Sequence, residues 1–415
     1  MTDRNRVAVV GAGRTPFSKI GTHLAGYTAL ELGVHAVEGA LQMAEVDPDR
    51  VDQLAFGIVG LDARVPHLAR EINLQSSLPD SVRSMTITDN CITGLSAIEA
   101  VGDSIAAGRT RIGIAGGVES MSNPSVLWSR RATRTFAALR SAKGLSRLRA
   151  ATKLRPSDFR PQLPGVTEPS TGLSMGEHTE ITVKEWAISR VEQDEIALAS
   201  HLNAATATAD GRLVAEIYPI NGVDRDTMIR PTTSMEALAK LNPVFDRTES
   251  GTLTAGNSSP LTDGAAAVVL MSEAEAESRG VEPLAFIRGM EFAAISPGDG
   301  LLMGPGVAVP RLLDRLGMNL DDIDLIEMHE AFGGQVASNL AAWEHGWKLD
   351  PIGKVDRDRL NVLGGSIAIG HPFAATGARI IGQLANEMAR RQVRYGLVSV
   401  CGAGATAGAV VLERP

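Results

Sequence analysis

Met85-Thr86-Ile87-Thr88-Asp89-Asn90-Cys91-Ile92-Thr93-Gly94-Leu95 changes its period midway. Met85 to Thr88 reads as a strand. From Cys91 the apolar residues Leu95, Ile98, Val101 and Ile105 recur at helical spacing. A further strand, Ile112 to Ala115, closes on Gly116-Gly117, so the segment is an α/β unit. Upstream, Val7 to Val10 reads as a buried strand, Ala29 to Leu41 as a helix and Leu54 to Val59 as another strand. Gly11-Ala12-Gly13-Arg14-Thr15-Pro16 lacks the third glycine of a dinucleotide fingerprint, and Pro16 stands where the first helical turn would form. A tight turn at the strand end is expected there.

The plan recurs downstream. Leu325 to Met328 is a strand feeding a helix at His329, as Met85 to Thr88 feeds one at Cys91. Gly396 to Val400 closes on Cys401-Gly402, as Ile112 to Ala115 closes on Gly116-Gly117. Ala266 to Met271 and Gly408 to Leu412 are matching apolar strands. Two α/β units of related topology follow: residues 1–125 with 251–278, and residues 279–415, with an inserted loop subdomain at 126–250.

The length of 415 residues exceeds one ordinary core. A net charge of −8 argues against nucleic acid as a bulk partner. Two cysteines, Cys91 and Cys401, exclude a disulfide framework, and neither belongs to a cluster with metal-ligand spacing. No metal or cofactor is expected. The N-terminus has no apolar signal region and no stretch is long enough to span a bilayer, so a cytoplasmic location is expected.

The insert differs in character. Prolines gather at Pro156, Pro161, Pro164 and Pro169, and nine basic residues between Arg130 and Arg155 alternate with Phe136, Leu139, Leu145 and Leu148. The spacing predicts two short amphipathic helices broken near Lys143-Gly144. By itself this is a solvated basic face; a surface for an acidic partner or a membrane is the alternative.

Site candidates stand at strand ends, where ligands bind in open α/β sheets. Cys91 precedes a helix whose N-terminal N–H groups favour thiolate. His371, between Gly370 and Pro372 in Gly364-Gly365-Ser366-Ile367-Ala368-Ile369-Gly370-His371-Pro372, is positioned for proton transfer. Cys401 stands before Gly402-Ala403-Gly404, whose N–H groups suit a developing oxyanion.

These residues resemble the thiolases. The matching motifs run in order over nearly the whole chain: Gly116-Gly117-Val118-Glu119-Ser120-Met121-Ser122, Ser174-Met175-Gly176, Thr254-Ala255-Gly256-Asn257-Ser258-Ser259, Asp263-Gly264-Ala265, His329-Glu330-Ala331-Phe332, the run from Gly364 to Arg379, and Cys401 to Gly404. The resemblance implies a five-layer α-β-α-β-α fold and an acyltransferase that cleaves 3-oxoacyl-CoA with coenzyme A as a substrate. Cys91 would attack at the 3-keto carbon, and His371 would take its proton in a thiolate–imidazolium pair. Cys401 would protonate the departing acetyl-CoA and then deprotonate the incoming thiol. His329 and His371 would form one oxyanion hole, and the N–H groups of Cys91 and Ala403 the other. Met175 and Ser259 would contact the pantetheine arm and Arg230 the nucleotide end. Glu119 and Glu330 would organise loops.

His329, where many thiolases carry Asn, resembles the thiolase subunit of fatty-acid oxidation complexes. This implies degradative thiolysis over acetoacetyl-CoA synthesis, and a homodimer or homotetramer buried at the sheet edge near Gly116 to Ser122. For the basic helices it implies a hydratase–dehydrogenase α-subunit or a peripheral membrane contact. Two departures stand out: Ile92 and Thr93 replace small residues and Ser after the nucleophile, expected to change the acyl wall, and Ala403 and Ala405 replace glycines.

Overall fold

A computed structural model describes residues 6–162, 165 and 167–415. Pro164 of the proline cluster lies outside them. In chain order the strands and helices are β1 (Val7–Arg14), β2 (Ser18–Lys19), α1 (Ala29–Met43), β3 (Gln53–Gly57), α2 (Leu68–Gln75), β4 (Arg83–Ile87), α3 (Thr93–Ala106) and β5 (Ile112–Glu119). The segment 126–250 contributes α4 (Arg130–Ser141), α5 (Leu145–Ala151), α6 (Met175–Glu185), α7 (Arg190–Ala209) and α8 (Met235–Ala239). Then come β6 (Thr262–Ser272), α9 (Glu273–Arg279), β7 (Ala285–Ala294), α10 (Pro305–Leu316), β8 (Leu325–Met328), α11 (Gly333–His345), α12 (Ser366–Ile369), α13 (Thr376–Arg391), β9 (Tyr395–Gly402) and β10 (Thr406–Glu413).

The strands lie in the order β4-β3-β5-β6-β1-β7-β10-β9-β8, with β2 beside β6. Only Ala8 with Phe286 and Val9 with Ala285 join β1 to β7, so two sheet halves meet along a short seam. Each half folds back so that the central helices α3 and α13 pack between them, with α1 and α2 outside one and α10 and α11 outside the other. The strands' period-two alternation makes this layering possible. In β10, Val410 and Leu412 enter the central core with Leu95, Ile98, Ile380 and Leu384. Ala407, Ala409 and Val411 enter the outer core with Leu312 and Val336. Leu54, Phe56 and Val269 line the remaining core against α1 and α2. Among the described residues no helix is long and apolar enough to cross a membrane.

Several sequence expectations need correction. Gly11 and Gly13 do not turn the chain: β1 continues to Arg14 through an irregularity between Val9 and Gly11. A Cβ on Gly11 would fall 2.5 Å from Ala44 Cβ, and one on Gly13 2.5 Å from Ala40 N, so both glycines let α1 lie close to the strand. Likewise Gly116 and Gly117 are inside β5, and Gly117 faces the Ala374 carbonyl, 2.1 Å from where a Cβ would be. The edge strand of the N-terminal half is β4, not the end of β5, which lies between β3 and β6. β7 was missed.

The repeat is also shifted by one strand. β8 lies beside β9 as β3 lies beside β5. The counterpart of β4 is a single parallel bridge, Leu360 to Ile326, too short to give a sequence signal. The chain then leads to His371 and α13, as β4 leads to Cys91 and α3. Thus Cys91 and His371 precede the two central helices.

Candidate active site

Cys91 sits on a tight turn between β4 and α3. Asn90 adopts φ +47°, a left-handed conformation that Asn tolerates. The Thr93 hydroxyl donates to the Asn90 carbonyl at 2.6 Å and accepts from Asp89 N–H at 2.7 Å. The Asn90 side-chain amide donates to the Ala403 carbonyl at 3.0 Å, which ties the turn to the loop after β9. Ile92 is 2% exposed and Thr93 fully buried. Ile92 belongs to the central core, and Thr93 packs on Gly57 while fixing the turn.

Cys91 is partly exposed. Loss of solvent around its thiol nevertheless pushes it up to about 11, opposed by the backbone N–H groups of Ala403 and of Cys91 itself and reinforced by Glu119. Cys401, buried at the end of β9, is raised well above the ordinary thiol range by burial and then by its neighbour Cys91. The two cysteines, 310 positions apart in sequence, thus share one site.

His371 follows Gly370, whose φ of +111° suits glycine. Its Nδ1 lies 2.7 Å from Thr376 Oγ1, and that hydroxyl donates to the Pro372 carbonyl at 3.3 Å. The hydroxyl therefore accepts from Nδ1–H, and Nε2 carries the lone pair. Burial, then the Arg379 charge, lowers His371 to about 3. The His329 ring lies 4.0 Å from it between centroids. His329 is fully buried and held well below the usual imidazole range by burial, then His371, then Arg379. In these directions burial favours neutral thiol and neutral imidazole, against the expected resting thiolate–imidazolium pair.

Glycines bring these elements together. A Cβ on Gly94 would fall 2.8 Å from the Ala374 carbonyl and from Ala378 N, so the start of α3 rests on the turn after His371. Glu119 accepts from Val59 N–H at 2.6 Å and Gly60 N–H at 3.1 Å; burial raises it to about 7 against these bonds and one from Ala374 N–H. Glu330 accepts from Ser200, Asn361 and Ile367 N–H. Both carboxylates organise loops, as their sequence context implied.

Ser259 N–H donates to the Ala331 carbonyl at 2.9 Å, beside the His329–Phe332 loop. Met175 opens α6 behind the N-cap Ser174, and neighbouring Gly176 rests on Phe245, whose ring meets Phe332 edge-on at 5.6 Å. Arg230 is exposed; its backbone N–H donates to His201 Nδ1 at 3.2 Å, and two residues earlier Met228 packs on Gly370. Sequence reasoning assigned no role to Asn90, Ser366, Thr376 or Arg379. Only Asn90, in a position that favours a left-handed residue, carried a local signal.

A nucleophile candidate beside a second thiol, with two adjacent imidazoles tilted toward each other and a loop of N–H groups, suits acyl transfer through a cysteine. The chain belongs to the thiolase family: residues 7–274 match the thiolase N-terminal domain and residues 281–414 the thiolase C-terminal domain. It is 42% identical to the 3-ketoacyl-CoA thiolase of Colwellia psychrerythraea over 98% of this chain and 97% of that one. The 3-ketoacyl-CoA thiolase of Pseudoalteromonas translucida is also 42% identical, over 99% and 97%. The crystal structure of human mitochondrial 3-ketoacyl-CoA thiolase superposes with a TM-score of 0.86 at 30% identity, over 99% of both chains. That of Bacillus anthracis acetyl-CoA acetyltransferase gives 0.84 at 31%, again over 99% of both.

Proposed function

We propose that this protein is a 3-ketoacyl-CoA thiolase that splits 3-oxoacyl-CoA with free coenzyme A into acetyl-CoA and a shortened acyl-CoA. Cys91 Sγ bonds to C3 as its proton passes to His371 Nε2. The C2–C3 bond breaks, and Cys401 protonates the departing acetyl-CoA carbanion. Coenzyme A then gives its thiol proton to Cys401 and takes the acyl group, while His371 returns a proton to Cys91. The N–H groups of Cys91 and Ala403 stabilise the oxyanion at the acyl-enzyme, and His329 with His371 the enolate oxygen. The observation that carries this reading is the tether from Asn90, beside Cys91, to the Ala403 carbonyl two residues after Cys401, which brings cysteines from opposite halves of the fold to one loop of N–H groups.

Met175 and Ser259 flank the pantetheine arm and Arg230 the nucleotide end. A human mitochondrial 3-ketoacyl-CoA thiolase solved with CoA, with a TM-score of 0.85 to this chain, supports coenzyme A as the ligand. The His329-Glu330-Ala331-Phe332 motif and the basic α4–α5 surface support a further assignment as the thiolase subunit of a fatty-acid oxidation complex. The open edge of β4, with partly exposed Ser84, Met85 and Thr86, favours a homodimer or homotetramer paired there.

The likeness to the acetyl-CoA acetyltransferase keeps acetoacetyl-CoA chemistry as a second reading. Loss of the 3-ketoacyl-CoA enolate absorbance on adding coenzyme A, across a short-to-long substrate series, tests both. Turnover of longer substrates supports the first reading. Turnover of acetoacetyl-CoA alone selects the second, and no turnover of any member removes both. Cys91→Ala should lose the acyl-enzyme seen by intact mass.

A further inference from the structure

His329 Nε2 is buried and meets no hydrogen-bond partner among the described residues. Its Nδ1 lies 2.8 Å from Ser366 Oγ. Ser366 is itself fully buried, and its hydroxyl accepts from Arg379 Nη2 at 3.0 Å. A guanidinium has donors only, so this bond fixes one side of the serine as acceptor. Among the described residues the serine proton has one further neighbour, His329 Nδ1. Given there, it makes Nδ1 the acceptor and leaves the ring proton of neutral His329 on Nε2. The reverse arrangement would strand the serine proton and aim a lone pair at the site.

Arg379 is held in turn. Its Nη1 donates to Gln383 Oε1 at 3.0 Å, and Gln383 Nε2 donates to Glu327 Oε1 at 3.4 Å. Glu327 lies on β8, two residues before His329, so the network closes on the strand that leads into the histidine. The Arg379 cation also opposes protonation of His329. His371, 4.0 Å away between ring centroids, has the opposite tautomer, since Thr376 accepts its Nδ1–H.

We propose that Ser366, oriented by Arg379, is a positioning residue that fixes His329 as a neutral Nε2–H donor beside the acceptor ring of His371. One hydroxyl makes His329 the oxyanion donor and another makes His371 the base. This role rests on the thiolase reading above, while the tautomer itself does not.

Nitrogen-15 spectra of histidine-labelled protein, with ring signals assigned through His329→Asn, test the arrangement directly. His329 should be protonated at Nε2 in the native chain and lose that bias in Ser366→Ala. Thiolysis by Ser366→Ala should fall in kcat by roughly 10- to 100-fold, less than removal of a whole oxyanion donor, with little change in the KM for coenzyme A. Ser366→Thr should restore both the bias and the rate. In a His329→Asn background, Ser366→Ala should change kcat less than about twofold, because an amide donor needs no tautomer selection. An Nδ1-protonated His329 in the native chain overturns the proposal, as does an undiminished Ser366→Ala loss in the His329→Asn background. A correct tautomer in a chain without thiolysis would instead overturn the functional reading alone.

Discussion

The Asn90 side chain donates to the Ala403 carbonyl at 3.0 Å, joining the residue before the nucleophile to the loop whose N–H favours its anion. Asn90 is thus both a left-handed turn residue and a tether between the two halves. Asn90→Gly retains the backbone freedom and removes the tether; Asn90→Ala also strains the backbone at φ +47°. Both should lose roughly 10- to 100-fold in kcat, since small misplacement of reacting groups is costly. The Ala variant should be less stable than the Gly variant by about 1 kcal/mol in chemical denaturation. Full activity in Asn90→Gly would show the tether to be dispensable.

Cys91 at about 11 and His371 at about 3 predict a neutral resting pair. Below its pKa a thiol's anionic fraction rises about tenfold per pH unit. Alkylation of Cys91 by iodoacetamide, in a Cys401→Ala background without substrate, should therefore keep rising from pH 7 to pH 10. A plateau below pH 8 would reveal a resting thiolate–imidazolium pair.

Glu119 receives N–H groups on both oxygens, from Val59 and Gly60. Glu119→Gln turns an NH2 toward them and should destabilise the fold by about 1–3 kcal/mol. The Ala374 bond is also weakened, and with it the turn after His371. The sign of the pH effect follows from the raised pKa. Glu119's contribution is full below its ordinary value of 4.5 and lost as pH rises through about 7. The stability gap between native chain and variant, measured by urea titration, should narrow across that window. A gap that widens would contradict the raised pKa.

The alternation of apolar residues made most strands legible, including β4, which leads to Cys91, and β9, which carries Cys401. Periodicity did not reveal that Gly11, Gly13, Gly116 and Gly117 are inside strands. Their role is to admit α1 and the Ala374 turn, and such contacts arise only after folding. β7 was obscured because only Ala285, Phe286 and Ala293 in it are deeply buried. The helix-terminus argument for a Cys91 thiolate meets an opposing cause of the same kind: N–H groups favour the anion, while burial raises the thiol. Ser366 and Thr376 are ordinary residues in a quoted motif. Their importance lies in where their hydroxyl protons go, and that depends on Arg379 and the Pro372 carbonyl.

The basic helices provide a test remote from the chemistry. α5 has no buried residue, and Leu145 and Leu148 are 82% and 69% exposed between Lys143, Arg147 and Arg149. α4 is instead anchored, by Ala132, by Arg131 paired with Asp158, and by Phe136 between the Trp128 and Phe159 rings. An apolar stripe flanked by cations at the tip of an anchored helix pair suits an anionic lipid surface. Combining Leu148→Ser with Arg147→Glu and Arg149→Glu should change stability by less than about 0.5 kcal/mol, since α5 packs against little else. Thiolysis in solution should be unaffected, while co-sedimentation with vesicles rich in anionic lipid should be lost. Unchanged co-sedimentation, or none in the native chain, would return α5 to a solvated face.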